Sequence, residues 1–293
     1  MMLKKELIKM YNNDNNIGDI NSSFIDNEQI LVDINKIKKV YSQSKQLSLD
    51  IFPSDNPENY IKLEIDPFGY KKSKRQKKDG ITYFGYDVKQ GVDNYIDFIM
   101  KNNDNYCYND AFNGRHFMIR FNPDNGNYYI KDLGKGFGTF IKIQNWTELK
   151  SNLLLNIGEN YIVFSYGDED DEENINNINN INNNENSLNI KIFSMNTQQR
   201  IYQLLPSDCP ITIGRSSDNN IVIDDDMLSR IHCTIDYMNE KWYIQDGFAK
   251  KGIEDKDIQK STNGSWIYAY DECPIFNNMI FKANHNLFIC NLI

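Results

Sequence analysis

Two arginines and a serine, each next to a short apolar run, have the side chains needed to hold a phosphate group. Arg215 follows the β-branched run Ile211–Gly214, and Ser229 and Arg230 come immediately after Leu228. An arginine guanidinium is planar, keeps its charge and can bond two oxygens at once. A second cation and a hydroxyl would complete a group of donors around the three phosphate oxygens. These residue types therefore indicate recognition of a phosphorylated group.

Short strands separated by polar turns must position these side chains. The apolar run 221–223 follows the polar turn 218–220, and the run 241–246 ends on an aspartate. A further polar turn, residues 261–264, precedes another apolar run. Runs of this length, rich in β-branched residues and bounded by Asn, Asp, Ser and Gly, are typical of the strands and turns of a β-sandwich.

This ordered series of clusters resembles the forkhead-associated (FHA) family, a β-sandwich module that reads phosphothreonine in partner proteins. The resemblance implies that Arg215 and Ser229 bind the phosphate and that Arg230 assists them. It also implies that Thr262 and Asn263 hold the peptide backbone beside the phosphate. The residues that the resemblance implies as structural support are Gly214, His232 and Gly264.

A weaker copy of the same series precedes it in the chain. Residues 93–98 match 218–223, residues 128–132 match 242–246, and the pair Arg115-His116 echoes the His232 cluster. Residues 58–167 therefore also resemble an FHA domain, though less closely.

The weaker copy departs from the family at the positions that would bind phosphate. Tyr86 stands where the family has arginine, Asn113 where it has serine, and Phe137 where it has the turn asparagine. Neither a tyrosine hydroxyl nor an asparagine amide offsets the cost of desolvating a dianion. We expect this copy to fold as the same sandwich and to dock partners without phosphate, with Arg115 as the one candidate for rescue.

The sequence predicts an all-β protein made of two tandem FHA-like β-sandwiches with a short helical N-terminal extension. Four positions of the extension, Ile30, Ile34, Ile37 and Tyr41, lie on one helical face, which could dock on the neighbouring sandwich or serve a partner helix. The predicted boundaries are 1–57 for the extension, 58–167 for the weaker copy, 168–187 for an acidic and Asn-rich disordered linker, and 188–293 for the intact copy.

Three segments allow more than one interpretation. The basic run 71–78 could bind nucleic acid or act as a nuclear localisation signal, but its position between two strands favours a solvated hairpin loop. The insertion 247–260 could modulate peptide choice or be a tolerated surface loop. The linker lacks the apolar residues needed to fold and should leave the two domains free to move. Its acidic run could instead occupy the phosphate pocket.

Composition excludes several classes of protein. The formal net charge of −9 and the acidic excess of residues 188–293 oppose general nucleic-acid binding. We find no signal peptide and no apolar span of transmembrane length, and therefore expect a soluble intracellular protein with no membrane contact. The cysteines and histidine that we weighed as zinc ligands lack the tight pairs of structural sites, so we expect neither metal nor cofactor. They are Cys233, Cys273, His285 and Cys290.

No catalytic motif is present, and we expect a binding protein that is not an enzyme and has no small-molecule substrate. The leading hypothesis is a phosphothreonine-peptide-binding adaptor that acts on phosphothreonine-containing proteins through residues 188–293. The alternatives are a phospho-independent protein scaffold and nucleic-acid binding through the basic loop.

Overall fold

The chain folds into β-strands preceded by one α-helix in the part that the structure describes. This computed structural model describes residues 27–53, 58, 60–75, 78–86, 96–100, 113–166, 186–194, 197–249 and 258–293. Helix α1 spans Asn27–Val40. The strands of the first half are β1 (Leu47–Pro53), β2 (Ile61–Asp66), β3 (Gly69–Tyr70), β4 (Ile81–Tyr86), β5 (Phe98–Ile99), β6 (Gly114–Asn122), β7 (Asn127–Asp132), β8 (Thr139–Lys142), β9 (Thr147–Glu148), β10 (Leu153–Ile157) and β11 (Asn160–Tyr166).

The strands of the second half are β12 (Leu188–Ser194), β13 (Thr197–Leu204), β14 (Ile211–Gly214), β15 (Ile221–Val222), β16 (Cys233–Met238), β17 (Lys241–Asp246), β18 (Phe248–Ala249), β19 (Ile258–Gln259), β20 (Ser265–Tyr268), β21 (Cys273–Pro274), β22 (Ile280–Ala283) and β23 (Asn286–Leu292). The chain divides into two compact units. Unit 1 contains the described residues up to Ile141 together with Ala269–Ile293, and unit 2 is Lys142–Tyr268. The all-β prediction is confirmed.

Unit 1 is built from two groups of paired strands around an aromatic core. One group has the order β8-β22-β23-β1-β2-β3, and the other has the order β21-β7-β6-β4-β5. The rings of Phe84 and Phe117 stack at 4.4 Å, and those of Phe281 and Phe288 stack at 4.5 Å. Of the predicted helical face, Ile37 of α1 is fully buried in the same core, whereas Tyr41 is exposed.

Unit 2 has the corresponding arrangement with an aliphatic core. Its strands pair in the orders β13-β12-β11-β10-β20 and β15-β14-β16-β17-β9, with β18-β19 as a separate pair. Alternate residues of β12, at positions 188, 190 and 192, are buried, as the period of two in a strand requires. They share a core with Ile213 of β14 and Trp242 of β17.

The units differ from the predicted boundaries 58–167 and 188–293 because two hairpins are exchanged. Hairpin β10-β11, predicted in the first copy, lies in unit 2, where Tyr166 pairs with Leu188 of β12. Hairpin β22-β23, predicted in the second copy, lies in unit 1, where β23 pairs with β1. Both hairpins carry alternating apolar residues, so a repeat-based division could not decide which sandwich each one completes.

Two further segments differ from their predicted roles. Strand β1 falls within the predicted extension 1–57 but pairs with both β2 and β23 in unit 1, so this sandwich begins before residue 58. The predicted linker 168–187 connects two adjacent strands of unit 2, because Tyr166 and Leu188 are paired. It therefore does not join the two units. Its acidic run lies outside the described residues.

Candidate functional site

Three loops at one end of unit 2 bring the predicted phosphate-binding residues together. Arg215 follows β14, Ser229 and Arg230 precede β16, and Thr262 and Asn263 precede β20. The backbone N–H of Arg215 donates to the carbonyl of Ser229 at 3.2 Å. The backbone N–H of Thr262 donates to the Ser229 hydroxyl at 2.9 Å, and that hydroxyl donates to Thr262 Oγ1 at 3.4 Å. Ser229 thus connects the three loops.

Gly214 permits the close crossing of the first two loops. A Cβ atom at this position would overlap the carbonyl oxygen of Arg230, so a larger residue would force the backbones apart. Across this contact the N–H of Ser216 donates to the same carbonyl at 3.2 Å. The amide group of Asn219 donates to the carbonyls of Ser216 and Arg230, at 2.8 and 2.6 Å, and holds the turn in place. Sequence reasoning assigned no role to Asn219.

His232 lies fully buried beneath the loops and connects two of them. Its Nδ1 accepts a hydrogen bond from the Ser229 N–H at 3.2 Å, which leaves Nε2 to donate to the carbonyl of Gly264 at 3.1 Å. Burial is the main cause that lowers the pKa of His232, so the neutral imidazole is favoured. The backbone of Gly264 has a φ of +77°, the left-handed conformation that glycine adopts readily.

Asp246 anchors the third loop from below and was missed as a functional residue. This fully buried carboxylate accepts from the Ser261 hydroxyl at 2.6 Å, from the Ser261 N–H at 3.2 Å and from the Ser265 hydroxyl at 2.9 Å. The Ser261 hydroxyl in turn accepts from the Gly264 N–H at 2.9 Å. The signal in the sequence was an aspartate that ends an apolar strand, followed by two serines that flank the polar turn.

Asn263 fixes the third loop to the second. Its side-chain amide donates to the carbonyl of Met227 at 2.7 Å, and its own carbonyl accepts from the indole N–H of Trp266 at 2.9 Å. The backbone of Asn263 is therefore held on the rigid start of β20.

The two arginines of this site face solvent. Arg215 and Arg230 are exposed, and Ser229 between them is half-buried. Within the described part of the chain, neither guanidinium forms an ion pair with a carboxylate. The site therefore combines two available cations with a hydroxyl whose position is fixed by the backbone.

Unit 1 repeats the backbone of this site without its donors. A Cβ atom at Gly85 would overlap the carbonyl oxygen of Gly114, as one at Gly214 would overlap that of Arg230. Tyr86 then takes the position of Arg215, but it is buried, with its ring centroid 5.0 Å from that of His116. Gly114 leaves no side chain at the position of Arg230.

Arg115 lies one residue beyond this crossing and stacks on an aromatic ring. Its guanidinium carbon is 3.7 Å from the centroid of Tyr83, and burial lowers the pKa of this half-buried arginine. The guanidinium carbon of Arg75 is 5.3 Å from the same centroid. Arg115 is thus packed against β4.

The basic run 71–78 contains a largely buried structural arginine. Arg75 forms two hydrogen bonds with the Asp79 carboxylate, at 2.7 and 2.9 Å, and a third with Asp97 at 3.1 Å. Burial lowers the pKa of Arg75, but the two carboxylates raise it overall, so its charge is retained. The run connects β3 in one group of strands to β4 in the other, and is therefore not the hairpin loop that was predicted.

The remaining ionisable groups suggest no further chemistry. In the described ranges, no three His, Cys, Asp or Glu side chains are arranged to hold a metal ion. Cys233 belongs to unit 2 and Cys290 to unit 1, and burial raises the pKa of both thiols. Among the same residues, no helix has the length and hydropathy needed to cross a membrane.

Comparison with known proteins identifies the family of both copies. The model of the FHA domain matches residues 96–158 and residues 211–274. The second match contains all five predicted ligand-binding residues, and the first extends from unit 1 into β10 of unit 2. The comparison with curated proteins found no match. FHA domains are phosphopeptide-binding modules for protein interaction rather than catalysts, and they bind phosphothreonine-containing proteins. The chain therefore carries two tandem FHA domains.

Proposed function

We propose that the chain is a phosphothreonine-dependent adaptor whose peptide site lies on unit 2. Arg215 and Ser229 bind the phosphate, Arg230 assists, and Thr262 and Asn263 hold the peptide backbone. The observation that carries this proposal is that two exposed arginines, neither paired with a carboxylate within the described residues, lie on the loops that Ser229 connects.

The electrostatics of the site support a dianionic ligand. A phosphothreonine carries a charge of about −1.5 to −2 and three acceptor oxygens near neutral pH. Two guanidinium groups match that charge, and the Ser229 hydroxyl supplies a neutral donor. The Ser229 hydroxyl is already oriented by the Thr262 N–H, so little conformational entropy is lost when a ligand binds.

We propose that unit 1 docks partners without reading phosphate. Tyr86 is buried against His116, so it offers no cation at the position of Arg215. Its neighbour in space, Gly114, carries no side chain that could assist. Arg115 is engaged in stacking on Tyr83 instead.

The structure gives no support to nucleic-acid binding through the basic run. Arg75 is bonded to Asp79 and Asp97, and Lys71 donates to Glu64 and Gln46. These contacts occupy Arg75 and Lys71, so these two cations are not free to reach a phosphate backbone.

Calorimetry with the full chain tests the proposal. We expect a phosphothreonine peptide, selected from a phosphorylated library, to bind with a stoichiometry of one and its unphosphorylated form not to bind. Arg215→Ala should weaken binding by about 2–5 kcal/mol, the range for removing one partner of a desolvated charge pair. Lys241→Ala is the matched control because it also removes one positive charge from unit 2, at the exposed first residue of β17, which pairs with Glu148.

Equal affinity for the two peptide forms would favour the phospho-independent scaffold. A stoichiometry of two that falls to one in Arg115→Ala would show that unit 1 also binds phosphothreonine. Equal losses in Arg215→Ala and Lys241→Ala would mean that only the net charge matters and would reject Arg215 as a direct ligand.

A further inference from the structure

The turn between β10 and β11 contacts the loop that carries Ser229. One carboxylate oxygen of Asp225 accepts from the backbone N–H of Glu159 at 2.9 Å and from the side-chain amide of Asn160 at 2.7 Å. Glu159 and Asn160 belong to the hairpin that the sequence repeat placed in the first copy, and Asp225 lies four residues before Ser229.

Asp225 also accepts hydrogen bonds from the residues of its own loop that lead to Ser229. Its second carboxylate oxygen accepts from the Met227 N–H at 2.8 Å, and its backbone carbonyl accepts from the Leu228 N–H at 3.0 Å. Leu228 itself is buried in the unit 2 core. Every residue from Met227 to Ser229 is thus held by a hydrogen bond or by packing, since the Ser229 N–H donates to His232.

The hairpin side of the contact is equally constrained. Gly158 has a φ of +53°, and a Cβ atom there would overlap the Asp225 carboxylate, so this glycine allows the close approach. Asn160 is buried, and its side-chain oxygen accepts from the Ser194 hydroxyl of β12. The Asn156 amide binds the backbone carbonyl of Asn160 at 3.1 Å. Donor and acceptor are therefore both fixed before any ligand arrives.

We infer that hairpin β10-β11 is part of the phosphopeptide-recognition site and that Asn160 and Asp225 are positioning residues for the Ser229 loop. This inference rests on the proposed function. The site is consequently completed by residues that lie outside 188–293, the segment that the sequence assigns to the binding domain. A loop released from this contact would have to be reordered each time a ligand binds, which lowers affinity without removing any direct ligand contact.

Three consecutive aspartates provide a matched test in the full chain. Asp224 and Asp226 flank Asp225 and are exposed, and no side-chain hydrogen bond to either occurs in the described part of the chain. Asp224→Ala and Asp225→Ala each remove one negative charge from adjacent positions of the same loop. We expect Asp225→Ala to bind the phosphothreonine peptide about ten-fold more weakly than Asp224→Ala, because it loses charge-assisted hydrogen bonds.

A reciprocal exchange tests the Asn160–Asp225 pair directly. Asn160→Asp places two carboxylates in contact and should weaken binding, as should Asp225→Asn, which places two amide groups in contact. The double variant Asn160→Asp with Asp225→Asn restores one donor and one acceptor with their roles exchanged. The Glu159 N–H loses its acceptor at position 225 in this variant. We therefore expect the double variant to bind more tightly than either single variant but more weakly than the wild type, which shows that the two positions are coupled. If a single variant fails to fold, the comparison of the double variant with Asp225→Ala still tests whether this pair positions the Ser229 loop.

The imidazole ¹⁵N signals of His232 provide a readout that general loss of stability would not move. The Ser229 N–H donates to Nδ1, so displacement of the loop should shift that resonance in Asp225→Ala and restore it in the double variant. This measurement needs no peptide. An unchanged His232 signal and equal affinities of the Asp224→Ala and Asp225→Ala chains would overturn the inference, while the loss of binding in Arg215→Ala would leave the proposed function standing. A wild-type chain that binds no phosphothreonine peptide would reject the proposed function, and the His232 signal would still report on the loop.

Discussion

Unit 1 and unit 2 share the close crossing of two backbones, yet they place different side chains on it. Gly85 and Gly114 form the crossing in unit 1, and Gly214 and Arg230 form it in unit 2. Beyond the glycine, Tyr86 turns into the protein whereas Arg215 turns into solvent. The backbone architecture of this loop therefore does not depend on the residues that we propose to bind phosphate.

Each unit has a buried histidine at the corresponding position, but the two histidines have different hydrogen-bond partners. His232 accepts from the Ser229 N–H and so orients the loop with the hydroxyl. His116 is equally buried, but its Nδ1 lies 2.6 Å from the side-chain amide nitrogen of Asn284, a residue of the exchanged hairpin region. A Cβ atom at Gly136 would overlap the His116 ring, so no side chain fits at the unit 1 position that corresponds to Thr262.

Substitutions in the two exchanged hairpins should give the largest changes in stability, and they test which unit each hairpin belongs to. Phe288→Ala in β23 should destabilise unit 1 by about 3–5 kcal/mol, because a fully buried ring stacked on Phe281 is lost. Ile162→Ala in β11 should destabilise unit 2 by about 2–5 kcal/mol. Thermal unfolding with and without the phosphothreonine peptide separates the units, since the ligand stabilises only the unit that binds it.

We expect the peptide-stabilised transition to move to lower temperature in Ile162→Ala and to stay in place in Phe288→Ala. The opposite pattern would mean that the domains are 58–167 and 188–293 after all.

The buried aspartates of the two units should differ in their effect on binding. Asp246→Ala leaves the donors of Ser261 and Ser265 without their acceptor and should destabilise unit 2 by about 2–3 kcal/mol, with a loss of peptide affinity. Asp132→Ala in unit 1 is the matched control, since Asp132 is also buried at the end of a strand and accepts from the Gly134 N–H. Affinity should be kept in the control. A similar loss in both variants would contradict an independent role for unit 2.

A smaller effect should follow from the protonation of His232. Burial lowers its pKa in the folded protein, so the unfolded chain takes up a proton that the folded site disfavours. The stability of unit 2 should therefore be fully present above a pH of about 6.5 and fall as the pH drops below it, until the folded pKa is reached. Unfolding measured from pH 5 to 7.5 should show this slope for the peptide-stabilised transition. His232→Gln should be less stable throughout but flatter over the same range, and identical slopes would refute the assignment.

Local patterns in the sequence were sufficient to predict the strands and the loops of the candidate site. Glycine, arginine, serine and asparagine at turn positions act over a few residues, and their order indicated which loops meet. The partner strands of β10 and of β23 could not be predicted in this way. Alternation identifies the buried face of a strand but not the strand that lies beside it. Arg75 was misread for a related reason. The charge of a basic run is read from neighbouring residues, whereas one of the two carboxylate partners of Arg75, Asp97, follows 22 residues later in the chain.

The pairing of β1 with β23 also affects how the chain folds during synthesis. The side chains of Asp50 and Asn291 form a hydrogen bond across 241 residues of sequence, whereas unit 2 is a single continuous segment. A nascent chain would therefore have all of unit 2 available while β1 still lacked its neighbour β23. Contacts this distant in sequence are slow to form, and an unpaired strand edge promotes aggregation in the interval. A chain that ended before Ile280 would contain all of unit 2 but would leave β1 of unit 1 without its neighbour β23.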